Sequence, residues 1–201
     1  GDGILWAATG MDLTRVDIAG FVADPDAVDD WVVTRDLDTP IEGLTVSDGV
    51  LWTLSPSSAG TQTIRSVDAA TLASTGVLRV DGGPPVEGIL VHAETLYAGT
   101  ARTLRTADIR DVAAPVWTDV ELERSGGVPM QVRDGIVWTV REAAEFDVID
   151  LVDTDGPRGR GHFEGTCVEV LDLEVADQTF YVACREGGLR VFADTSAWDD
   201  E

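Results

Sequence analysis

An aromatic residue recurs along this chain at a nearly constant interval, each time as the second residue of an apolar pair. Successive aromatic residues are 46, 45, 41 and 43 positions apart. The pairs are Leu5-Trp6, Leu51-Trp52, Leu96-Tyr97, Val137-Trp138 and Phe180-Tyr181. Such a period is too long for one coil of a β-helix and is typical of a four-stranded propeller blade. The sequence therefore predicts an all-β protein, a β-propeller of four-stranded antiparallel blades.

Turn residues stand just before these pairs and support the same unit. Asp-Gly precedes three of them, at Asp2-Gly3, Asp48-Gly49 and Asp134-Gly135, and Asp177-Gln178 is a degenerate copy. Asp-Gly between two apolar runs is a strong hairpin signal, because glycine accepts a positive φ without penalty. The third copy, 92–95, has lost it. Each pair thus begins the second strand of a hairpin.

Four strands, a to d, can be assigned within one unit. Strand a alternates polar and apolar residues, as in 43–46, whereas strand b is almost continuously apolar, as in 50–54. A continuous run suits a strand buried on both faces. Strand c ends in an apolar-Asp step such as Val16-Asp17, whose carboxylate can accept from the backbone two residues on. Strand d is the weakest signal, and no helical window competes with the strands.

Eighteen strands follow from this assignment, in blade units of about 1–38, 39–82, 83–126, 127–166 and 167–201, forming one domain or segment. The first unit lacks strand a and the last lacks strand d, so about five blades are present, three complete and two partial. We therefore expect a fragment of a larger propeller of about six to eight blades. The alternative is a self-contained ring of about five blades.

The composition is strongly acidic. The 201 residues include 37 Asp and Glu against 14 basic residues, all of them Arg, for a net charge of −23. Either a GC-rich genome with a solvated surface or a salt-rich habitat explains this balance. Nucleic acid is excluded as a partner, because phosphate binding requires a basic patch. No apolar run is long enough to span a membrane. A monomer is expected.

Two cysteines are present, Cys167 and Cys184. A hairpin about Asp177-Gln178 places Cys184 opposite Leu171, so Cys167 lies four residues further along, roughly 13 Å away at ~3.3 Å per residue. A disulfide requires Cα atoms within about 7 Å. The spacing therefore favours free thiols over a Cys167–Cys184 bridge.

The last unit carries a family resemblance. Residues 175–183, then Gly187-Gly-Leu-Arg-Val-Phe192 and 194–196, resemble the LVIVD-repeat family, and Phe146-Asp-Val-Ile-Asp150 is similar to its Val-Ile-Asp core. Residues 67–71 look more like generic quinoprotein or YVTN propeller repeats. The LVIVD resemblance implies a bacterial or archaeal protein at the cell surface, in the periplasm or outside the cell. It implies a binding or scaffold role without defined chemistry.

Carboxylates at the start of strand a are the candidate binding residues. Glu42 and Glu87 stand in matching Glu-Gly steps, and Glu169 lies in a comparable place. Several carboxylates at a channel mouth can bind Ca²⁺, which prefers oxygen ligands. The step also resembles the metal-binding Glu-Gly-Pro of gluconolactonase-type propellers, although Leu44 and Ile89 replace the proline. The plainer interpretation is that Glu42 and Glu87 are repeat-consensus residues that bind loop amides.

Asp153 and Asp155 resemble half of a calcium loop, but the arginines that follow favour a plain turn. Nucleophilic catalysis has little support, because His92 and His162 fall in different units and no Gly-x-Ser-x-Gly elbow is present.

The sequence thus favours a non-enzymatic, extracytoplasmic scaffold that binds a protein or a carbohydrate. The alternative is a metal-dependent hydrolase or lactonase that uses Glu42 and Glu87. A purely structural repeat segment is the third possibility.

Overall fold

The computed structural model describes residues 3–81, 83–111, 115–120, 127–141, 145–152, 158–164, 170–176 and 179–193. The chain forms two compact units, Gly1–Asp81 and Gly82–Glu201.

The first unit contains two antiparallel sheets. The first sheet has the order β1-β2-β3, and the second has the order β4-β5-β6-β7. Their strands are β1 Ile4–Thr9, β2 Asp12–Asp17, β3 Val32–Asp36, β4 Gly43–Ser47, β5 Val50–Leu54, β6 Thr61–Asp68 and β7 Ser74–Asp81. One apolar cluster of this unit is formed by Leu13, Leu37, Leu51, Val67 and Leu72, all of which are buried.

The second unit contains three sheets, also antiparallel. The third sheet is formed by β8 Val86–His92, β9 Thr95–Thr100, β10 Leu104–Asp108 and β11 Val116–Val120. The fourth is formed by β12 Val128–Arg133, β13 Ile136–Arg141, β14 Glu145–Asp150 and β15 Arg158–Glu164. The fifth is formed by β16 Val170–Ala176, β17 Thr179–Cys184 and β18 Gly188–Ala193.

Every sheet pairs its strands in the order of the sequence, which confirms the predicted hairpin unit. The described strands number 3, 4, 4, 4 and 3 from the first sheet to the fifth, as the strand assignment predicted. In the second unit, the leading strands β8, β12 and β16 are neighbours, so these three sheets pack side by side at strand a.

Two apolar layers separate the three sheets of the second unit. The layer between the third and fourth sheets consists of Tyr97, Leu104, Val120, Val132, Val137 and Ile149. The layer between the fourth and fifth sheets consists of Trp138, Phe146, Val148, Leu173, Val175, Phe180, Val182 and Cys184. Burial of these faces, rather than strand propensity alone, is what stabilises the stack.

The second strands of the second, third and fourth sheets are buried on both faces, as their continuous apolar sequences predicted. Trp52, Tyr97 and Trp138 on these strands are all buried. The strand β17 differs, because its buried residues alternate with exposed or half-buried ones.

Two short helices were not predicted. The helices α1 Ile18–Ala23 and α2 Val28–Trp31 lie in the connection between β2 and β3. The Asp17 carboxylate caps α1 by accepting from Ala19 N and Gly20 N, at 2.9 and 3.1 Å. Six residues are too few for a helix to form without such support, so periodicity gave no signal for α1.

The aspartate that ends strand c has the turn-closing role predicted for it. Asp17, Asp108 and Asp150 each accept from the backbone N–H two residues on. Asp68 accepts from Thr71 N, three residues on, at 2.7 Å.

A backbone hydrogen bond ties this step to the a–b turn of the same sheet. The residue after the aspartate donates to the second turn residue, from Ile18 to Gly3, Ala69 to Gly49, Ile109 to Glu94 and Leu151 to Gly135. The same backbone hydrogen bond therefore recurs in the first four sheets.

Candidate functional site

The leading strands of the third and fifth sheets each begin with a β-bulge. In the third sheet Val86 pairs with Thr100 and Gly88 with Gly99, which leaves Glu87 as the extra residue. In the fifth sheet Val170 pairs with Cys184 and Asp172 with Ala183, which leaves Leu171 as the extra residue. Counted from the aromatic residue of the second strand, the two bulges occupy the same register position.

Glu42 has the matching position in the first unit. Its N–H donates to Leu54 O at 2.8 Å, while the following Gly43 pairs with the same Leu54. Two residues thus oppose one, which is the arrangement of a bulge. Glu42 directly precedes β4 and Glu87 lies within β8, so both stand at the start of strand a, in separate units.

The bulge side chains are exposed. Glu42 and Glu87 are both on the surface, and Leu171 is 54% exposed despite being apolar. A bulge re-aims the side chain it carries and bends its strand locally. The same backbone feature therefore presents a carboxylate in the third sheet and an isobutyl group in the fifth.

Hydrogen bonds join neighbouring sheets of the second unit, one near the bulged start of strand a and one near its turn end. Gly127 N, just before β12, donates to Thr100 O at the end of β9, at 2.6 Å. On β12, Gln131 accepts from Val175 N at 2.5 Å and donates to Val175 O at 3.3 Å, so its amide bridges to β16. Neighbouring sheets of the second unit are thus joined by polar contacts as well as by the apolar layers.

Close backbone packing accompanies these bonds. A Cβ atom built on Gly99 would lie 1.7 Å from Gly127 O, and one on Gly88 would lie 2.4 Å from Val128 Cγ1. Only glycine permits this approach of β8 and β9 to the fourth sheet, so the glycine of the Glu87-Gly88 step has a packing role of its own.

An ion-pair cluster lies at the opposite end of the third sheet. The Arg110 guanidinium contacts the Asp108 carboxylate and reaches Glu94 Oε2 at 3.7 Å. The side-chain and backbone hydrogen bonds from Arg110 lower the Asp108 pKa from 3.8 to about 2. All three groups are exposed, so this cluster shapes the turn without forming a buried reactive centre.

The other predicted site residues do not join Glu42 or Glu87 in a described cluster. Glu169, Asp153 and Asp155 lie outside the described residues, and His92 is exposed at the end of β8. Across the described ranges, no group of three or more His, Cys, Asp and Glu side chains is arranged to hold a metal ion. A Ca²⁺ site involving Glu42 or Glu87 stays a prediction.

Cys184 corrects the expectation of free thiols. Its sulfur is disulfide-bonded, so the interpretation of this cysteine as a free thiol is wrong. The other cysteine of the sequence, Cys167, lies outside the described residues. The bulge at Leu171 is one source of the error, because it places Cys184 opposite Val170 instead of Leu171. The distance inferred from an unbroken hairpin was therefore too long by one residue.

Sequence reasoning did not identify Leu171 and Gln131. A bulge has no distinct residue signature here, and Gln131 looks like an ordinary polar residue of an alternating strand.

The described part of the chain contains no helix with the length and apolar character that a membrane span requires.

No family model matches this chain, and no curated protein sequence matches it, so the LVIVD resemblance stays a prediction. Solved structures do match it. The β-propeller domain of Cps50 (Swd1) from Myceliophteria thermophila is 12% identical, with a TM-score of 0.64 over 96% of this chain. BamB from Moraxella catarrhalis is 17% identical, with a TM-score of 0.59 over 96%. The computationally designed Ika4 protein is 18% identical, with a TM-score of 0.55 over 78% of this chain and 92% of its own.

This chain spans 62% of the Swd1 domain and 55% of BamB. At such identities the likeness shows the fold alone. Together with the antiparallel sheets of three and four strands, it confirms the predicted β-propeller fold.

Proposed function

We propose that this chain is a non-enzymatic binding scaffold whose recognition surface is the bulged start of the leading strands. The observation that carries the proposal is the pair of register-equivalent bulges at Glu87 and Leu171, which expose unlike side chains on a shared backbone frame. A binding surface needs a fixed backbone geometry that carries different side chains at equivalent positions, since bulges position side chains at functional sites.

The rigidity of the neighbouring strands in the second unit also favours a binding role. Binding weakens when surface groups must be ordered at the moment of contact, so a preorganised surface binds more tightly. The Gln131 bridge to Val175 and the bond from Gly127 N to Thr100 O fix the neighbouring strands before any partner arrives.

The charge of the chain suggests the chemistry of the partner. A net charge of −23 attracts a basic protein surface over long range and repels nucleic acid. We propose a protein partner that presents basic residues around an apolar contact for Leu171. A carbohydrate partner is the alternative, and its binding would show little dependence on salt.

An extracytoplasmic location is part of the proposal. It is supported by the disulfide at Cys184, because disulfides persist mainly in oxidising compartments outside the cytoplasm.

The test is capture of partners by the immobilised chain from an extracellular fraction, followed by calorimetry on each purified partner. We expect Glu87→Gln and Leu171→Ser each to weaken binding by about tenfold or more, as central contacts do. Asp134→Asn removes the same charge at the other end of the strands, and Val116→Ser removes an exposed apolar side chain from β11. Both controls should bind normally. Equal losses in variants and controls would contradict the proposed surface.

The metal-dependent hydrolase remains the second candidate, because Glu42 and Glu87 stand at the same position relative to strand a. Thermal unfolding with Ca²⁺ and with a chelator separates the two functions. Under the scaffold proposal the melting temperature stays the same. A rise with Ca²⁺ that disappears in Glu42→Gln and Glu87→Gln would favour the metal site.

A further inference from the structure

Tyr181 occupies a repeat position that is buried elsewhere in the second unit. Its equivalents are Tyr97 on β9 and Trp138 on β13, which are 7% and 6% exposed. Each of those two residues lies in the apolar layer against the following sheet. Tyr181, by contrast, is 38% exposed.

The residues around Tyr181 form an apolar face with it. Val191 is its direct cross-strand partner on β18 and is 55% exposed. Leu189, on the same side of β18, is 63% exposed. We call Tyr181, Leu189 and Val191 the Tyr181 face. It is the side of the fifth sheet that points away from the apolar layer shared with the fourth.

The buried equivalents of Tyr181 show what such a face packs against. Tyr97 lies in one layer with Val137 and Ile149, which are cross-strand partners in the fourth sheet. The same two positions in the first sheet are held by Leu5 and Val16, which also pair across strands. Leu5 is 54% exposed, whereas Val137 and Ile149 are buried. Leu5 and Val16 thus form a receiving surface of the same chemistry, the Leu5 face.

We infer that the Tyr181 face of one chain docks on the Leu5 face of a second copy. The contact repeats the packing of the third sheet on the fourth and of the fourth on the fifth, so it continues an interface already present in the molecule. It is a head-to-tail contact between unlike surfaces, which closes into a ring or grows into a chain of copies. The inference is separate from the proposed binding function and departs from the sequence-based expectation of a monomer.

Salt dependence follows from the charge. Two chains that each carry −23 repel one another, and Asp172 and Glu174 lie beside the Tyr181 face on β16. Added salt screens this repulsion while leaving the apolar contact in place. Self-association should therefore increase as the salt concentration rises.

Paired variants test the contact by sedimentation or light scattering in high salt. The chain should self-associate, and Tyr181→Arg or Leu5→Glu alone should weaken association by about tenfold or more. The two variants mixed in equal amounts should associate again, because each supplies the intact face that the other lacks. Val116→Arg, at a residue of β11 that is 72% exposed, should behave as the unaltered chain does.

Three results would overturn the inference: a chain that stays monomeric at every salt and protein concentration, association that survives both single variants, or a mixture that remains monomeric although both variants are folded by circular dichroism. Because partner capture through Glu87 and Leu171 uses other residues, failure here leaves the proposed function standing.

Discussion

The fourth and fifth sheets carry the same aromatic position in the same register, yet they bury it to different degrees. Trp138 is 6% exposed and lies edge-on to Phe180, with ring centroids 6.1 Å apart and an interplanar angle of 75°. Tyr181 is 38% exposed, and its cross-strand partner Val191 is more exposed still. The repeat thus specifies where an aromatic residue stands in a sheet, while the neighbouring sheet decides whether it becomes core.

The largest expected difference comes from truncating the two aromatic residues. Trp138→Ala removes a buried ring and its contact with Phe180, so we expect a loss of about 3–5 kcal/mol in the free energy of unfolding. Tyr181→Ala removes a ring that is already in part hydrated, so a loss of about 1 kcal/mol is expected. Chemical denaturation of dilute protein measures both, and similar losses would break the comparison.

A second test concerns the residue two positions after the aromatic. Gly99 faces the fourth sheet, where a Cβ would meet Gly127 O at 1.7 Å. Its counterpart in the fifth sheet is Ala183, which already carries a Cβ and is half-buried. Gly99→Ala should cost about 3 kcal/mol, since overpacking forces the backbone to shift. Ala183→Ser should change the free energy of unfolding by less than about 0.5 kcal/mol. Denaturation midpoints that move equally for the two would show that Gly99 is not under steric constraint.

The strands were predictable from local signals because hairpins are local structures. The aromatic period and the Asp-Gly turns located every sheet, and the apolar run of 50–54 identified a strand buried on both faces. The exposure of Tyr181 was not predictable, because its own sequence is as apolar as that of 136–140. What differs is the sheet beside it, and neighbours distant in sequence leave no mark on local composition.

The candidate site was predictable only in part. The matching Glu-Gly steps pointed to Glu42 and Glu87, whose equivalent positions the pairing registers show. The bulge at Leu171 has no such sequence step, and it also displaced the expected partner of Cys184. One inserted residue changes every pairing beyond it, so register errors grow along a strand even when its limits are right.

A third test asks whether the buried faces alone stabilise the second, third and fourth sheets, or whether the a–b turns contribute as well. The a–b turn of the third sheet has Ala93 at φ 52°, where the second and fourth sheets have Asp48 and Asp134 at φ 49° and 52°. Alanine is strained in this left-handed region, whereas Asn and Asp tolerate it better. Ala93→Asn should raise the free energy of unfolding by about 0.5–1 kcal/mol, and Asp134→Ala should lower it by a similar amount. If neither changes the thermal midpoint, the turns contribute little beside the faces.

The smallest expected effect concerns the aspartates that close the turn after strand c. They are present both in the first sheet, where Leu5 is exposed, and in the third sheet, where Tyr97 is buried. The Asp108 pKa is lowered from 3.8 to about 2, chiefly by the side-chain hydrogen bond from Arg110. A lowered pKa means that ionised Asp108 stabilises the fold above about pH 4, and that this contribution is lost as the pH falls toward 2. Arg110→Gln should return the pKa toward its ordinary value, as measured by NMR titration of the carboxyl carbon. The change in stability at neutral pH should be slight, because both side chains are exposed and solvent screens the pair.

Arg102→Gln, at an arginine of the turn between β9 and β10, serves as the control for lost charge. An Asp108 pKa that rises equally in both variants would assign the shift to the general field of the sheet instead of to the Arg110 hydrogen bond.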